Sequence, residues 1–219
     1  MISLSRRVVV EAVGTAALVV AVVGSGIMAQ RLTSDVALAL LANSLATGAA
    51  LVVLVAVLGP LSGAHLNPVV TVVAALRRDL PLRDAVLVGL GQIMGGVLGT
   101  LLAHMMFELP AITWSQHARS GAGQWIAEGV ATAGLVGVVP IGGRFRSEAM
   151  PWLVGLYITS AYWFTASTSF ANPAVTLART LTDTFSGIQP MDAPGFIIAQ
   201  CVGALLALAA SRWLLREAR

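Results

Sequence analysis

The chain has 219 residues, of which 57% are hydrophobic and only 11% are charged, and a water-soluble surface cannot be built from so few charged residues. Its mean hydropathy is +0.86, and its net charge of +3 includes 13 basic residues that are all arginine. A single cysteine cannot form an internal disulfide. The composition therefore excludes a secreted disulfide scaffold, a cytosolic enzyme and a nucleic-acid binder, and it predicts an integral membrane protein surrounded by the lipid bilayer.

Six apolar runs of roughly 20 residues follow one another, and each is about long enough to cross the hydrocarbon core of a bilayer. The predicted spans are 8–29, 36–58, 84–106, 123–142, 149–167 and 194–214. With the N-terminus in the cytoplasm, ten arginines lie on the inner side, and three lie outside, namely Arg31, Arg119 and Arg179. This distribution satisfies the positive-inside rule. We therefore expect a multi-pass protein of the cell's inner (plasma) membrane with both termini in the cytoplasm.

The two halves of the chain contain the same short motifs in the same order, which indicates a duplication. Residues 11–19 match 128–136, residues 67–71 match 172–176, and Gln92-x-x-Gly95 matches Gln200-x-x-Gly203. We expect one channel domain, 1–219, built of repeats 1–107 and 122–219, with segment 107–123 as a connector. Because each repeat has three spans, an odd number, the second copy must be inverted in the membrane.

A shorter helix is predicted after the second span of each repeat. The turn-rich stretch 59–68 precedes a helix-compatible segment from residue 68 to about residue 76, and the second repeat has its equivalent from Pro173 to about Leu181. About ten residues at ~1.5 Å each cover ~15 Å, half of a ~30 Å hydrocarbon core. Both segments therefore predict re-entrant half-helices, and inverted repeats place the functional site where such helices meet.

An Asn-Pro pair begins each half-helix. Asn is among the best N-caps and Pro is favoured at the first helical position, so Asn67-Pro68 and Asn172-Pro173 are helix starts that meet at mid-membrane around a pore. The side-chain oxygen of each Asn accepts from the helix backbone, and its NH₂ is left to donate to a solute oxygen. Two converging helix N-termini oppose the passage of cations and protons.

This pattern resembles the major intrinsic protein family, the aquaporins and aquaglyceroporins. The resemblance rests on Ser-Gly-Ala-His-Leu-Asn-Pro-Val at 62–69, which ends in Asn67, Pro68 and Val69, and on Ser-Phe-Ala-Asn-Pro-Ala at 169–174, which ends in Asn172, Pro173 and Ala174. It implies an all-α membrane protein with six transmembrane helices plus two re-entrant half-helices, the inverted-repeat aquaporin fold. It further implies a pore in every protomer and a homotetramer.

The resemblance also assigns roles to single residues. It implies that Glu11 and Glu128 support the re-entrant loops, and an acid inside a span independently suggests a definite partner. His65 either lines the inner pore, as in the family, or is structural, and Val70 is the inner-pore equivalent of Val175 in the repeat.

The positions that form the outer constriction in the family are occupied here by small side chains. Water-selective members have an Arg three residues after the second Asn and an aromatic about twenty residues before the first, and Val175 and Thr47 stand there instead. Twelve and three residues before the second Asn stand Ser160 and Ser169. The resemblance thus predicts a wide, neutral filter without aromatic residue, His or charge.

Arg179, four residues after Val175, allows two interpretations. It lines an outer vestibule and replaces the missing filter charge, or it is a solvated residue paired with Asp183, four residues on.

A passive channel for water and small uncharged solutes is the function that this filter favours. Its composition is similar to that of a bacterial branch associated with arsenic resistance, which suggests metalloid hydroxides such as arsenite, while glycerol-like solutes, urea and water remain open. A secondary transporter for a small neutral solute is the alternative, since transporters also use inverted repeats. No nucleophile–base pair or metal-ligand spacing occurs in the sequence, so we expect no enzyme, no catalytic residues, no cofactor and no metal.

Overall fold

The computed structural model describes residues 2–215, and within them all regular structure is helical. The elements are α1 (Leu4–Leu32), α2 (Val36–Ser62), α3 (Pro68–Leu76), α4 (Leu82–Met106), α5 (Ala122–Phe145), a 3₁₀ turn (Ser147–Ala149), α6 (Met150–Phe164), α7 (Pro173–Arg179) and α8 (Ala193–Leu214). The predicted all-α membrane architecture is confirmed. Arg216 and Arg219, which the orientation prediction counts on the inner side, lie outside the described residues.

Five helices, α1, α2, α4, α5 and α8, are long and apolar enough to cross a membrane. Helix α6 has 15 residues and directly follows the 3₁₀ turn, so the two together provide the remaining predicted span. Helix α6 ends at Phe164, before the predicted limit at 167, because residues 165–172 form a loop leading to α7.

The surface of the helical bundle is apolar and its interior contains polar side chains. Val53, Leu98 and Leu206 are exposed, whereas Gln92 and Glu128 are fully buried. This distribution suits a protein surrounded by lipid, because polar groups in the bilayer must find partners inside the protein.

Glycines allow the long helices to approach closely in both halves. A Cβ at Gly95 of α4 would overlap the carbonyl of Ala12 in α1, and a Cβ at Gly203 of α8 would overlap the carbonyl of Gly129 in α5. Small residues are what permits such close packing of helices in a membrane. The equivalence of the two contacts shows that the repeated Gln-x-x-Gly motif also repeats in its packing.

The half-helices α3 and α7 begin as the sequence predicts. The Asn67 Oδ1 accepts from the Val69 N–H at 3.0 Å, and the Asn172 Oδ1 accepts from the Ala174 N–H at 3.0 Å. Helix α3 has nine residues, and α7 has seven and ends at Arg179, two residues before the predicted limit. We call residues 63–67 and 165–172, which lead into these helices, the first and second pore loops.

Candidate pore

A cavity of about 100 Å³ lies between the two halves and is lined by both pore loops together with α1, α2, α3, α5, α6 and α7. We call its two ends the α3 side and the α7 side, after the half-helix that runs outward from each. A second cavity of about 480 Å³ lies on the α3 side and shares His65, Val70 and Val139 with the first. The two cavities therefore adjoin, and the first extends from these residues through the centre to Arg179 on the α7 side. We call the first the narrow cavity and the second the wide cavity, after their volumes.

The two asparagines meet across the middle of the narrow cavity. The Asn67 Nδ2 donates to the Ala171 carbonyl at 2.7 Å, and the Asn172 Nδ2 donates to the Leu66 carbonyl at 2.8 Å. Each amide is thus hydrogen-bonded to the opposite pore loop, a contact that the capping motif alone does not predict. Because an amide NH₂ has two hydrogens, one N–H of each asparagine is left for a solute.

Both pore loops contain residues in left-handed backbone conformations at equivalent places. The φ angles are 45° at Ala64 and 49° at Leu66 in the first loop, and 50° at Ser169 and 48° at Ala171 in the second. Such conformations cost of order 1–3 kcal/mol each and persist only where the surroundings fix them.

Glu11 fixes the first pore loop. One carboxylate oxygen accepts from the Ser62 hydroxyl at 2.7 Å and from the His65 N–H at 3.0 Å. The other accepts from the Leu66 N–H at 2.7 Å and from the Gln92 amide at 2.8 Å. Every one of these partners belongs to the first half of the chain.

Glu128 does the same for the second pore loop. It accepts from the backbone N–H groups of Phe170 at 2.8 Å and Ala171 at 2.9 Å, and from the Gln200 amide at 2.7 Å. The glutamines of the repeated Gln-x-x-Gly motif therefore support the carboxylates. Gln200 also donates to the Thr176 hydroxyl at 2.9 Å, just as Gln92 donates to the Thr71 hydroxyl.

Three of the four predicted filter residues, Thr47, Ser169 and Val175, line the narrow cavity. The prediction for Ser160 is wrong, because its side chain is exposed on the outside of α6 and its hydroxyl donates to the Tyr157 carbonyl at 2.7 Å. Helix α6 instead turns a different face to the pore.

The cavity-lining residues of α6 are Met150, Val154, Ile158 and Tyr162, spaced four apart on one face. Ser160 lies two positions from Tyr162, roughly 200° around the helix. The Tyr162 hydroxyl is 3.2 Å from the Thr47 hydroxyl, so a hydrogen bond joins α6 to α2 across the constriction. An aromatic side chain therefore lines the cavity, which the sequence did not predict. The four-residue spacing could not have identified Tyr162, because Leu156, Ser160 and Phe164 on another face of α6 have the same spacing.

Arg179 lines the narrow cavity although it is only 2% exposed. Its Nε donates to the Ser186 carbonyl, and its guanidinium carbon is 3.3 Å from the centroid of the Phe170 ring. Its Nη1 has no hydrogen-bond partner among residues 2–215. Arg179 therefore lines the cavity, as the vestibule interpretation predicts, and the cavity as a whole carries a positive charge.

The alternative interpretation of Arg179 as a solvated partner of Asp183 is wrong. The Asp183 carboxylate accepts from the Gln116 N–H at 2.9 Å and lies 3.9 Å from the His117 Nε2. Asp183 faces the connecting segment, whereas Arg179 points into the cavity.

His65 and Val70 lie where both cavities adjoin. The His65 Nδ1 is 3.1 Å from the Thr71 hydroxyl, which fixes the ring while leaving it in the wall of the pore. Among residues 2–215, no group of three His, Cys, Asp or Glu side chains is placed to hold a metal ion.

Two half-helices that meet through capping asparagines, with buried carboxylates behind them and a cavity between them, define a membrane channel of the aquaporin type. The solved structure described as the X-ray structure of the aquaglyceroporin from Plasmodium falciparum has the same fold, with a TM-score of 0.74 at 21% identity. The match covers 94% of this chain and 95% of that one.

Sequence comparison identifies the family. The family model described as Major intrinsic protein matches residues 1–142 and 141–218. "Aquaglyceroporin AqpS" of Rhizobium meliloti (strain 1021) is 62% identical over 216 residues, which cover 99% of this chain and 93% of that protein. "Aquaporin-1" of Rhizopus delemar is 30% identical over 150 residues, 66% of this chain and 47% of that protein. The chain belongs to the major intrinsic protein family, whose members are channels and not enzymes.

Proposed function

We propose that this chain is a passive channel for water and small uncharged solutes, both glycerol-like solutes and metalloid hydroxides such as arsenite. It lies in the inner (plasma) membrane with the α7 side outward and both termini in the cytoplasm, and four copies form a tetramer with a pore in each. The 62% identical relative named an aquaglyceroporin supports the glycerol-like substrates.

The single observation that carries the proposal is that polar atoms without hydrogen-bond partners and apolar side chains line the same cavity on the α7 side. The Arg179 Nη1 and the Ser169 Oγ are buried without a partner among the described residues, while Val175 and Ile158 line the same cavity. Buried polar groups need hydrogen bonds, and a small hydroxylated solute supplies them while its carbon or metalloid centre contacts the apolar side.

Charge selection follows from the same geometry. The positive ends of α3 and α7 converge at the asparagines, and the Arg179 guanidinium adds a full positive charge on the α7 side. Cations and protons passing along a file of water are therefore opposed at two successive levels, whereas a neutral solute is not.

A coupled transporter fits the two buried acids less well than a passive channel does. The carboxylates of Glu11 and Glu128 accept four and three hydrogen bonds respectively from loop and glutamine donors. A carboxylate engaged in this way holds backbone in place, and neither glutamate lines the narrow cavity.

Stopped-flow light scattering on proteoliposomes tests the proposal, with water, glycerol and arsenous acid as the permeants. We expect all three permeabilities to exceed those of protein-free liposomes. Solute permeabilities equal to those of protein-free liposomes would contradict the proposal, and uphill accumulation under an imposed proton or ion gradient would establish the transporter instead.

A further inference from the structure

The segment that connects the two halves packs against the α7 side of the pore and is more than a connector. Its backbone pairs with the stretch that follows α7: the Thr113 N–H donates to the Leu181 carbonyl at 3.0 Å and the Ser115 N–H donates to the Thr180 carbonyl at 3.0 Å. The Arg119 N–H donates to the Asp192 carboxylate at 2.7 Å. These bonds fix the position of Arg119 beside the second pore loop.

The Arg119 guanidinium is surrounded by backbone oxygens. Its Nε donates to the Gly187 carbonyl at 2.8 Å and its Nη2 to the Phe185 carbonyl at 3.4 Å. Its Nη1 reaches the Ser167 carbonyl at 3.4 Å and the Thr168 hydroxyl at 3.5 Å. One planar group thereby ties the second pore loop to the stretch 185–187.

Arg119 and Arg179 bind neighbouring groups. Of three consecutive carbonyls, the first and third, at 185 and 187, accept from Arg119, and the middle one, Ser186, accepts from Arg179. Both guanidinium carbons also lie over the Phe170 ring, at 5.2 Å for Arg119 and 3.3 Å for Arg179. Within residues 2–215 neither forms an ion pair with a carboxylate.

We propose that Arg119 is a positioning residue for solute selection, which acts by holding the 185–187 carbonyls and Phe170 where they keep the Arg179 guanidinium in the pore. This inference rests on the proposed function, because it assigns a support to the same constriction. The planar fork of an arginine presents five N–H donors in fixed directions to carbonyls on two segments, whereas the three donors of a lysine share one nitrogen and do not span the same acceptors. Geometry, and not charge alone, is therefore what Arg119 contributes.

Arg31 provides a matched control at the other end of the connecting segment. Its guanidinium donates to the Phe107 carbonyl and lies 5.0 Å from the centroid of the Phe107 ring. The contacts are of the same two kinds as those of Arg119, but Arg31 is exposed and does not line the narrow cavity.

The test compares Arg119→Lys and Arg119→Gln with Arg31→Lys and Arg31→Gln in proteoliposomes. The readout is the ratio of glycerol to water permeability, which does not depend on how much protein has inserted. We expect both Arg119 variants to raise the ratio at least about threefold, which corresponds to about 0.6 kcal/mol or more in relative barrier height, because a released Arg179 side chain widens the constriction. The Arg31 variants should keep the wild-type ratio.

An unchanged or lowered ratio in Arg119→Lys would overturn the inference, and so would an equal shift in the Arg31 variants. A second comparison adds Arg119→Lys to Arg179→Met. If Arg119 acts through Arg179, the double variant should have the same glycerol-to-water ratio as Arg179→Met alone. A further multiplicative shift in the double variant would show that Arg119 does not act through Arg179. A wild-type protein that conducts no glycerol would refute the proposed function itself, whereas a conducting protein insensitive to Arg119 refutes only this inference.

Discussion

The first pore loop is supported by its own half of the chain, whereas the second pore loop is also bound by the connecting segment. The partners of Glu11 come from α2, the first loop and α4. From the second half, the first loop accepts a hydrogen bond from the Asn172 amide at the Leu66 carbonyl. The second loop has Glu128 and Gln200 as equivalents of Glu11 and Gln92, but it additionally contacts Arg119.

The two sides of the pore differ in the same way. In the repeat, Ala74 is the counterpart of Arg179 and His65 the counterpart of Phe170. Ala74 lines the wide cavity of about 480 Å³ and Arg179 the narrow one of about 100 Å³. The shared framework of capping Asn, supporting Glu and bracing Gln is therefore symmetric, whereas the Arg and Phe on the α7 side are replaced by Ala and His on the α3 side.

The largest expected effect comes from breaking the symmetric framework. Glu11→Gln and Glu128→Gln each place an NH₂ against donors that need an acceptor, so buried N–H groups lose their partners. We expect each to destabilise the folded protein by about 2–4 kcal/mol, with Glu11→Gln at least as severe because Glu11 accepts four hydrogen bonds and Glu128 three.

Thermal unfolding in detergent measures the stability of both variants. A large loss of stability in one variant and none in the other would show that the two pore loops do not depend on equivalent supports.

A smaller effect, confined to charge selection, is expected from Arg179→Met. The substitution removes the positive charge from the narrow side while keeping an extended side chain, so proton or cation leak through the pore should rise about tenfold. Arg77→Met is the matched control, since Arg77 directly follows α3, lines the wide cavity and pairs with Asp79 at 3.0 Å near solvent. The leak is measured as the dissipation of a pH or voltage difference across vesicle membranes. An equal leak in both variants would show that the two sides of the pore do not differ in charge selection.

The smallest effect is expected at the contact between α2 and α6. Tyr162→Phe removes the hydroxyl that bonds to Thr47 but keeps the ring, so stability should fall by about 0.5–1.5 kcal/mol. Solute permeability should change by less than about threefold, because the ring that shapes the constriction remains. Ser160→Ala should alter neither quantity, and a selective loss of solute flux in Ser160→Ala would restore Ser160 to the filter.

The sequence was most informative where a residue's role depends on local helix chemistry or on the repeat. Asn67 and Asn172 follow from capping preference, and the duplication places Glu11 and Glu128 in equivalent surroundings. Ser160 was misplaced because counting back from Asn172 crosses the second pore loop, whose course is independent of which face α6 turns inward.

Arg119 could not be found from the sequence for a different reason. Its acceptors are mainly backbone carbonyls at 167, 185 and 187, and every residue carries such a carbonyl, so no side-chain pattern marks the partners. Only the fold brings these distant segments together.

Placing an arginine at position 175 tests most directly whether the narrow α7 side selects solutes by size. In Val175→Arg, a guanidinium enters the constriction next to Thr47, Ser169 and Tyr162, and stopped-flow scattering on one vesicle preparation gives both water and glycerol permeability. We predict that the glycerol-to-water ratio falls at least about tenfold while water still passes. A glycerol-to-water ratio equal to that of the wild type would contradict it.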